Sequence, residues 1–433
     1  MMTILRLILL AFSILILSVG ECVARNTDTQ QAIFDPSFRT LQVYADNNLY
    51  QPPVIELNGN GRITVSFDEL SSQERYLRYS LTHCDADWRP SQLIDTDILD
   101  GWNEGKIEDV AYSQATLSPY VNYRITLPNE DMSPKLSGNY LLRVYDESDP
   151  SETILQARFM VVEPSVDILA DISPRTDIDY MNSHQQMELT VDTKSMNIND
   201  PYRDIKVRIG QNSRSDISVD PRQPLIIGGS KLQYHHNRDL IFDAGNEYRR
   251  FETVSTGFPG MGVDQISVNH NPDNDFYHFK LTTDHPRAGQ SYEYDRTQWG
   301  HFTVNADPEM AGLSFEPDLR AEYAAVSFTL DFPYQPEADI YIEGDLTGRS
   351  YTPDNKMTYN HSTGMYEATL LLKQGSYNYQ YVMVARNGDK VTPAPIEGDY
   401  YPTQNQYSIA VYFRPPGQRY DRLIGHSTVT VLN

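Results

Sequence analysis

Two groups of aspartates are the residues in this sequence whose spacing could bind a divalent cation. One group lies between residues 85 and 100, and the other is Asp273 with Asp275. Ca²⁺ needs several hard oxygens that converge from fixed positions, and neither group has the glycine and glutamate positions of an EF-hand loop. We interpret both groups as solvated turns and predict no metal site. The members of the first group are Asp85, Asp87, Asp95, Asp97 and Asp100.

Histidine and cysteine give no catalytic or metal-binding pattern. His235 and His236 are consecutive in a predicted strand, so their rings should point to opposite faces and cannot share one metal. Cys84 directly follows His83, and the same alternation favours a structural cysteine over a nucleophile. The sequence has no Gly-x-Ser-x-Gly elbow and no phosphate-binding glycine loop. We therefore predict that the protein is not an enzyme and has no catalytic, cofactor-binding or metal residues.

Tyrosines are the remaining residues that could bind something. Tyr377, Tyr379 and Tyr381 alternate along a predicted strand and should share one face, with Tyr359 and Tyr366 nearby. A packed sheet face is the favoured interpretation, because tyrosine is common there. A stacking platform for sugar or a contact face for a partner protein is the alternative.

The first 24 residues have the pattern of a secretory signal peptide. Arg6 precedes the apolar run LILLAFSILILSV, and Cys22-Val23-Ala24 provides small residues at the cleavage position. The run is short for a membrane span of roughly 20 residues, so we expect cleavage after Ala24 rather than an anchor. Glu21 stands where a lipoprotein signal needs a small residue, which argues against lipidation of Cys22.

Cysteine count and charge restrict the compartment and the partners. Cleavage would leave Cys84 as the one cysteine, and an exported chain without an internal disulfide is typical of a bacterial periplasm. The formal net charge is −24, which would repel nucleic acid and anionic lipid. The sequence has no second long apolar run, so we expect no transmembrane segment in the mature chain.

The patterning of the mature chain predicts an all-β fold built from tandem immunoglobulin-like β-sandwich domains. Segments with period-two alternation follow one another between turn signals; Ile63, Val65 and Phe67, for example, should face one core. The predicted ranges are 25–164 for an N-terminal sandwich, 165–308 for a middle sandwich and 319–433 for a C-terminal sandwich, with a linker at 308–318.

The segment from Asp339 to Val384 resembles the early-set immunoglobulin-like domains that accompany starch- and glycogen-active enzymes. The matching residues are Gly344-Asp345, Met357, Tyr366-Glu367 and the run from Lys373 to Tyr379. Sugar-binding members carry a tryptophan after the Gly-Asp turn, whereas this chain has Gly348-Arg349-Ser350 there. The resemblance implies the fold, and the departure removes the residue that would stack on a glucan.

Nearly the whole mature chain also resembles the plug protein family of the Bacteroidota type IX secretion system. The resemblance rests on four motifs: Arg78-Tyr79 with His83–Trp88, Gly138–Val144, Lys373-Gln374-Gly375 with the three alternating tyrosines, and Arg419–Gly425. It implies a non-catalytic periplasmic protein on the periplasmic face of the outer membrane. Its partner would be the large outer-membrane β-barrel translocon, whose opening it would close when no substrate is in transit. The alternative function is a periplasmic or surface glycan-binding protein. The sequence assigns no interface residues.

Overall fold

Residues 29–194, 196–221, 223–269, 276–306, 316–386 and 390–431 are described by a computed structural model of the protein. The predicted signal peptide, most of the predicted linker, and both Asp273 and Asp275 lie outside these ranges. From Gln31 onward the chain forms one compact unit. The described residues are predominantly strands, so the predicted all-β fold class is confirmed.

The N-terminal sandwich comprises two sheets. One has the order β1-β12-β11-β5-β7 with β3 parallel to β12, the other has the order β2-β4-β9-β8, and β10 and β6 form a small ribbon. Ile63, Val65 and Phe67 are fully buried between the sheets, as the alternation predicts. The strands are β1 (Ala32–Ile33), β2 (Phe38–Ala45), β3 (Val54–Glu56), β4 (Ile63–Glu69), β5 (Leu77–Cys84), β6 (Leu99–Gly101), β7 (Gly105–Lys106), β8 (Asp109–Tyr112), β9 (Val121–Leu127), β10 (Met132–Pro134), β11 (Gly138–Asp146) and β12 (Leu155–Val162).

The second sandwich combines strands from two distant parts of the chain. One sheet has the order β13-β14-β18-β17 with β19 on β14, and the facing sheet has the order β16-β15-β30-β31. The core between them includes Leu189, Ile209 and Ile409, each fully buried. The strands are β13 (Asp167–Ser173), β14 (His184–Asp192), β15 (Ile205–Gln211), β16 (Ser218–Val219), β17 (Ile226–Gly228), β18 (Lys231–Tyr234), β19 (Ile241–Asp243), β30 (Gln406–Phe413) and β31 (Arg422–Thr430).

The third sandwich is inserted between β19 and β30. The long strand β28 pairs with β20, β23, β25 and β29, and the facing sheet has the order β21-β22-β24-β27-β26. Phe279, Phe328 and Ile342 are buried between these sheets. The strands are β20 (Arg249–Glu252), β21 (Val263–Asn269), β22 (Phe276–Leu281), β23 (Phe302–Val304), β24 (Tyr323–Leu330), β25 (Ala338–Glu343), β26 (Thr358–Asn360), β27 (Met365–Lys373), β28 (Gly375–Ala385) and β29 (Val391–Thr392).

Strand pairing crosses the predicted boundary between the middle and C-terminal ranges. Strand β15 pairs along its whole length with β30, from Ile205 opposite Phe413 to Gln211 opposite Tyr407. Strand β20 pairs in the same way with β28, and β22 lies parallel to β24. The ranges 165–308 and 319–433 therefore each contribute strands to both the second and the third sandwich.

Helices are short and serve as connections. The α-helices are α1 (Asp95–Ile98), α2 (Pro201–Asp204), α3 (Pro317–Arg320) and α4 (Ala394–Glu397), and the 3₁₀ turns are Arg238–Leu240 and Asp345–Thr347. No helix of the described residues has the length and hydropathy needed to cross a bilayer.

Candidate functional site

All four motifs that carry the resemblance to the plug family contribute residues to contacts between sandwiches. We call the contact of the N-terminal with the second sandwich, built around Asp85, Ala86 and Asp421, the first joint. The contact of the N-terminal with the third sandwich, built around Asp68 and Lys373, is the second joint. These joints are the candidate functional site because they hold three separate cores in one body.

The first joint begins where β5 ends in a tight turn. The Trp88 amide donates to the Asp85 carbonyl at 2.9 Å, and Trp88 has the positive φ of 64° that this turn requires. The turn presents the backbone of Ala86 to the second sandwich. The Ala86 amide donates to Asp421 Oδ2 at 3.0 Å, and Arg208 Nη1 donates to the Ala86 carbonyl at 2.6 Å.

Asp421 is the charged centre of the first joint. Its side chain is 1% exposed, and both of its oxygens accept from Lys206 Nζ at 2.9 Å. Arg414 forms ion pairs with Asp421 and with Asp85. Burial alone would lower the pKa of Arg414, but these two carboxylates outweigh it and raise that pKa. The joint therefore matches acidic and basic groups from two different cores.

The Gly138–Val144 motif supplies a neutral contact to the same joint. Asn139 is fully buried; its Nδ2 donates to the Asp85 carbonyl at 2.9 Å and its Oδ1 accepts from the Tyr412 hydroxyl at 2.8 Å. An amide can donate and accept at once, so one side chain satisfies both sandwiches. An apolar replacement would remove one hydrogen bond from the Asp85 carbonyl and one from the Tyr412 hydroxyl.

Close backbone contact completes the first joint. The amides of Glu163 and Ser165 donate to the carbonyls of Leu423 and Ile424 at 2.9 and 2.8 Å. A Cβ at Gly425 would lie 2.5 Å from Val166 Cγ2, which is too close for any side chain without movement. Glycine at this position therefore allows β31 to approach the start of β13.

The second joint covers the polar face of β4. All seven residues of β4 are buried, although Thr64, Ser66 and Asp68 are polar. Asp68 Oδ2 accepts from Lys373 Nζ at 2.6 Å, and both side chains are 1% exposed. A buried charge pair is stable when further hydrogen bonds satisfy its remaining atoms. Both sandwiches supply such bonds.

Four groups surround this ion pair. The Tyr323 hydroxyl donates to Asp68 Oδ2 at 2.7 Å and Asn122 Nδ2 donates to Asp68 Oδ1 at 2.8 Å. Lys373 Nζ also donates to the Asp318 carbonyl at 2.6 Å and lies 4.1 Å from the centre of the Tyr120 ring, a cation–π distance. The pair is thus hydrogen-bonded on both sides of the joint.

The three alternating tyrosines pack inside the third sandwich. Tyr377, Tyr379 and Tyr381 are at most 4% exposed, and the hydroxyls of Tyr379 and Tyr381 both donate to Asp284 Oδ2 at 2.7 Å. Asp284 in turn pairs with Arg249 at 2.7 Å. The packed-face interpretation is therefore confirmed, and these rings are not available to a sugar.

Glu397 continues this buried network. It pairs with Arg249 at 3.0 Å and with Arg287 at 2.7 Å, and it accepts from the Tyr381 amide at 2.9 Å. Burial alone would raise the pKa of Glu397, but the two arginines outweigh it and lower that pKa to about 2. Glu397 is therefore ionised at neutral pH.

Arg349 lies beside the Gly344-Asp345 turn, at the position where the sugar-binding domains that this segment resembles have a tryptophan. Its side chain is 9% exposed and pairs with Glu343 at 3.2 Å and with Asp345 at 2.5 Å. Burial alone would raise the pKa of Asp345, but Arg349 and then His301 outweigh it and lower that pKa. An ion-pair cluster therefore stands at the position from which a glucan platform would project.

Aspartates 85 to 100 are engaged by other side chains rather than by solvent alone. Asp97 pairs with Arg419 at 2.6 Å and Asp100 pairs with Lys135 at 3.4 Å. The solvated-turn interpretation thus misses the pairing of Asp85 and Asp97 with arginines of the second sandwich. Across the described ranges, no group of three or more His, Cys, Asp or Glu is arranged to hold a metal ion.

Histidines 235 and 236 lie beyond the end of a strand, not within one. Strand β18 ends at Tyr234, and His236 has a left-handed φ of 50°. The predicted strand through both residues is wrong because Asp177 accepts a hydrogen bond from His236 Nδ1 at 3.1 Å and stabilises the turn. Cys84 is fully buried, and burial raises its pKa to about 12, so the thiol stays protonated.

Sequence reasoning assigned no interface residues, so it missed Lys206, Tyr412 and the partners of Asp68. One signal was available: Asp68 and Lys373 each stand in an otherwise apolar or alternating strand segment. A charged residue within a buried strand needs a charged partner from another element.

An all-β body of three sandwiches, joined through buried charges, is the class of protein that the fold and the joints define. Residues 38–163 match the family model of the type 9 secretion system plug protein 1st domain. A crystal structure of a hypothetical protein from Parabacteroides merdae is 42% identical, with a TM-score of 0.89 over 93% of this chain and 99% of that chain. The chain belongs to the type IX secretion system plug protein family, which associates it with type IX secretion.

Two further comparisons add nothing to this assignment. Dimeric latent PorU from Porphyromonas gingivalis aligns with 92% of this chain and 34% of its own, at 10% identity and a TM-score of 0.15. A TM-score this low does not indicate a shared fold. No curated protein matches the chain.

Proposed function

We propose that this protein is the non-catalytic plug subunit of the type IX secretion translocon. It sits in the periplasm and closes the periplasmic opening of the outer-membrane barrel when no substrate is in transit. The observation that carries the proposal is the match of residues 38–163 to the plug protein 1st domain.

The joints support a sealing role on physical grounds. A protein that closes a wide opening has to keep the arrangement of its domains fixed while it is bound there. Three sandwiches linked by flexible connections would change their arrangement, whereas buried and hydrogen-bonded pairs such as Lys373–Asp68 fix how the sandwiches pack against one another. Rigid sandwiches can still vary their surface loops to fit a rim.

Charge supports a separable contact with the barrel. The chain carries a formal net charge of −24, which favours a basic rim as its partner. A plug has to leave when substrate passes, so its interface should be polar and of moderate size rather than a permanent apolar core.

Affinity purification from outer-membrane extracts tests the proposal. A tagged copy of the full chain, expressed in its own host, should recover a very large β-barrel protein. Failure to recover such a barrel would contradict the proposal that the protein is the plug of the translocon. A strain without the protein should also admit a hydrophilic fluorescent probe that is too large for general porins, and a plasmid copy should restore exclusion.

The glycan-binding alternative makes the opposite prediction in a simple assay. Purified protein should pass through an amylose column without retention, because Tyr377, Tyr379 and Tyr381 are buried in the third sandwich and Arg349 is engaged by ion pairs beside the Gly344-Asp345 turn. Clear retention on amylose would count against the plug.

A further inference from the structure

Trp102 is far more exposed to solvent than Trp88 and Trp299, the other two tryptophans of the chain. Its side chain is 83% exposed, the largest value among the exposed large hydrophobic residues of the described ranges. Trp88 packs beneath the Arg158 guanidinium at 4.3 Å, and Trp299 donates its indole Nε1 hydrogen to the Gln404 carbonyl at 2.8 Å. Trp88 and Trp299 therefore serve the fold, whereas Trp102 faces outward.

The backbone on both sides of Trp102 is held firmly. Gly101 has a φ of 97°, and a Cβ there would lie 1.8 Å from the Asp131 carbonyl oxygen, so only glycine fits. The Trp102 amide donates to the same carbonyl at 3.2 Å. On the other side, the Asn103 side chain is fixed by two hydrogen bonds. Its Oδ1 accepts from the Leu81 amide at 2.7 Å, and its Nδ2 donates to the Leu81 carbonyl at 2.8 Å. The exposed indole thus projects from a fixed backbone.

A second exposed apolar side chain belongs to the same loop. Ile94 is 64% exposed and immediately precedes α1. Asn103 Nδ2 donates to Asp95 Oδ1 at 2.9 Å, which ties the segment after Trp102 to the segment after Ile94. We call residues 94–104 the Trp102 loop.

Acidic residues dominate the surroundings of the Trp102 loop. Between residues 94 and 109 there are six acidic residues and a single basic one, Lys106. Asp100 and Glu104 flank Trp102 with side chains 76% and 59% exposed, and each has only a long ion pair, to Lys135 at 3.4 Å and to Arg78 at 3.6 Å. Such exposed pairs contribute little to folding, so these carboxylates remain available to a partner.

We propose that the Trp102 loop is a protein-docking surface that inserts Trp102 into an apolar pocket bordered by lysine and arginine side chains on a partner protein. Tryptophans held in place are frequent energetic centres of interfaces, because little conformational freedom is lost on binding. The acidic border selects a basic partner and repels anionic lipid, so the occupant is a protein rather than a membrane. This inference rests on the proposed function, which makes the partner a component of the translocon.

Substitution of Trp102 tests the anchor. Trp102→Ala should lower recovery of the barrel from outer-membrane extracts by at least about tenfold, with an unchanged unfolding midpoint because the indole is exposed. Phe258→Ala is the matched control: Phe258 is an aromatic residue, 77% exposed, on the third sandwich. Equal recovery of the barrel by wild type and Trp102→Ala would overturn the docking surface and leave the plug function standing. Recovery of no barrel by wild type would overturn both.

Substitution of Asp100 and Glu104 tests whether the acidic residues beside Trp102 attract a basic partner. Asp100→Asn with Glu104→Gln should weaken barrel recovery several-fold and make it less sensitive to salt, whereas the exposed Asp171→Asn should not. Vesicles of phosphatidylethanolamine and phosphatidylglycerol separate the lipid alternative. The wild-type protein should not sediment with them; sedimentation that Trp102→Ala abolishes would assign the loop to the membrane and overturn the proposal.

Discussion

Lys373 of the third sandwich and Asp68 of the N-terminal sandwich form an ion pair of 2.6 Å in which both side chains are 1% exposed. The two residues come from separate hydrophobic cores, so the pair is a contact between bodies rather than within one. Exposed ion pairs are weak because water and salt screen them, whereas this pair is enclosed and is hydrogen-bonded by groups of both sandwiches.

Breaking this pair from one side should be costly. Lys373→Met leaves Asp68 buried without its counter-charge, and we expect a loss of about 3–5 kcal/mol in the free energy of unfolding. Urea denaturation followed by tryptophan fluorescence measures the change. Lys356→Met is the control, since Lys356 pairs with Asp339 while 41% exposed and should cost under about 1 kcal/mol. Equal losses in the two variants would contradict the enclosed joint.

The first joint should loosen when Asp421 loses its charge. Asp421→Asn keeps the shape of the side chain but leaves Lys206 and Arg414 without their shared carboxylate. We expect amide hydrogen exchange at residues 84–88 and 421–425 to accelerate by about tenfold, corresponding to ~1.4 kcal/mol. Asp264→Asn is the control, because Asp264 pairs with Lys280 on the third sandwich while 56% exposed. Unchanged protection at both segments would show that Asp421 does not hold the sandwiches together.

Acid should destabilise the third sandwich through Glu397. Its pKa is about 2 in the folded protein and 4.5 ordinarily, so the folded state favours the ionised form. The resulting stabilisation, about 3 kcal/mol, is present above pH 4.5 and is lost as the pH falls from 4.5 towards 2. Thermal unfolding of wild type and Glu397→Gln across this window measures it: the difference in Tm should shrink as the pH falls. A constant difference would refute this linkage, and Glu147→Gln in an exposed pair is the control.

A side chain at position 425 should destabilise the protein unless Val166 is replaced by a smaller residue. Gly425→Ala places a methyl group against Val166 Cγ2, and we expect about 1–3 kcal/mol of destabilisation from overpacking. Adding Val166→Ala should recover part of that loss, which a double-mutant cycle would detect. Gly257→Ala is the control, because a Cβ there meets no atom closer than 3.9 Å. Simple additivity of the two substitutions would contradict the contact.

Alternation in the sequence predicted correctly which side chains are buried on one strand face, but it did not predict which strands pair with each other. It placed Ile63, Val65 and Phe67 on one buried face, and it favoured packing for Tyr377, Tyr379 and Tyr381; all six are buried. A period of two residues states which side chains share a face. It does not state which strand lies alongside, so the pairing of β15 with β30 could not be predicted.

The joints were beyond sequence reasoning for a related reason. A turn of aspartates looks solvated when each residue is considered alone, yet Asp85 meets Arg414 across a long separation in the chain. The prediction for His235 and His236 failed for a local reason: strand β18 ends at Tyr234, and His236 has a left-handed φ that a strand residue does not adopt.

Because the third sandwich is inserted into the second, the order of strands along the chain determines which sandwich can be completed first. Strands β13 to β19 arrive early, but their facing sheet lacks β30 and β31 until residues 406–430 have been delivered. The inserted sandwich has all its strands before that moment and can close first. A chain that lacks its last strands therefore presents an open apolar sheet, which is the kind of surface that makes folding intermediates prone to aggregation.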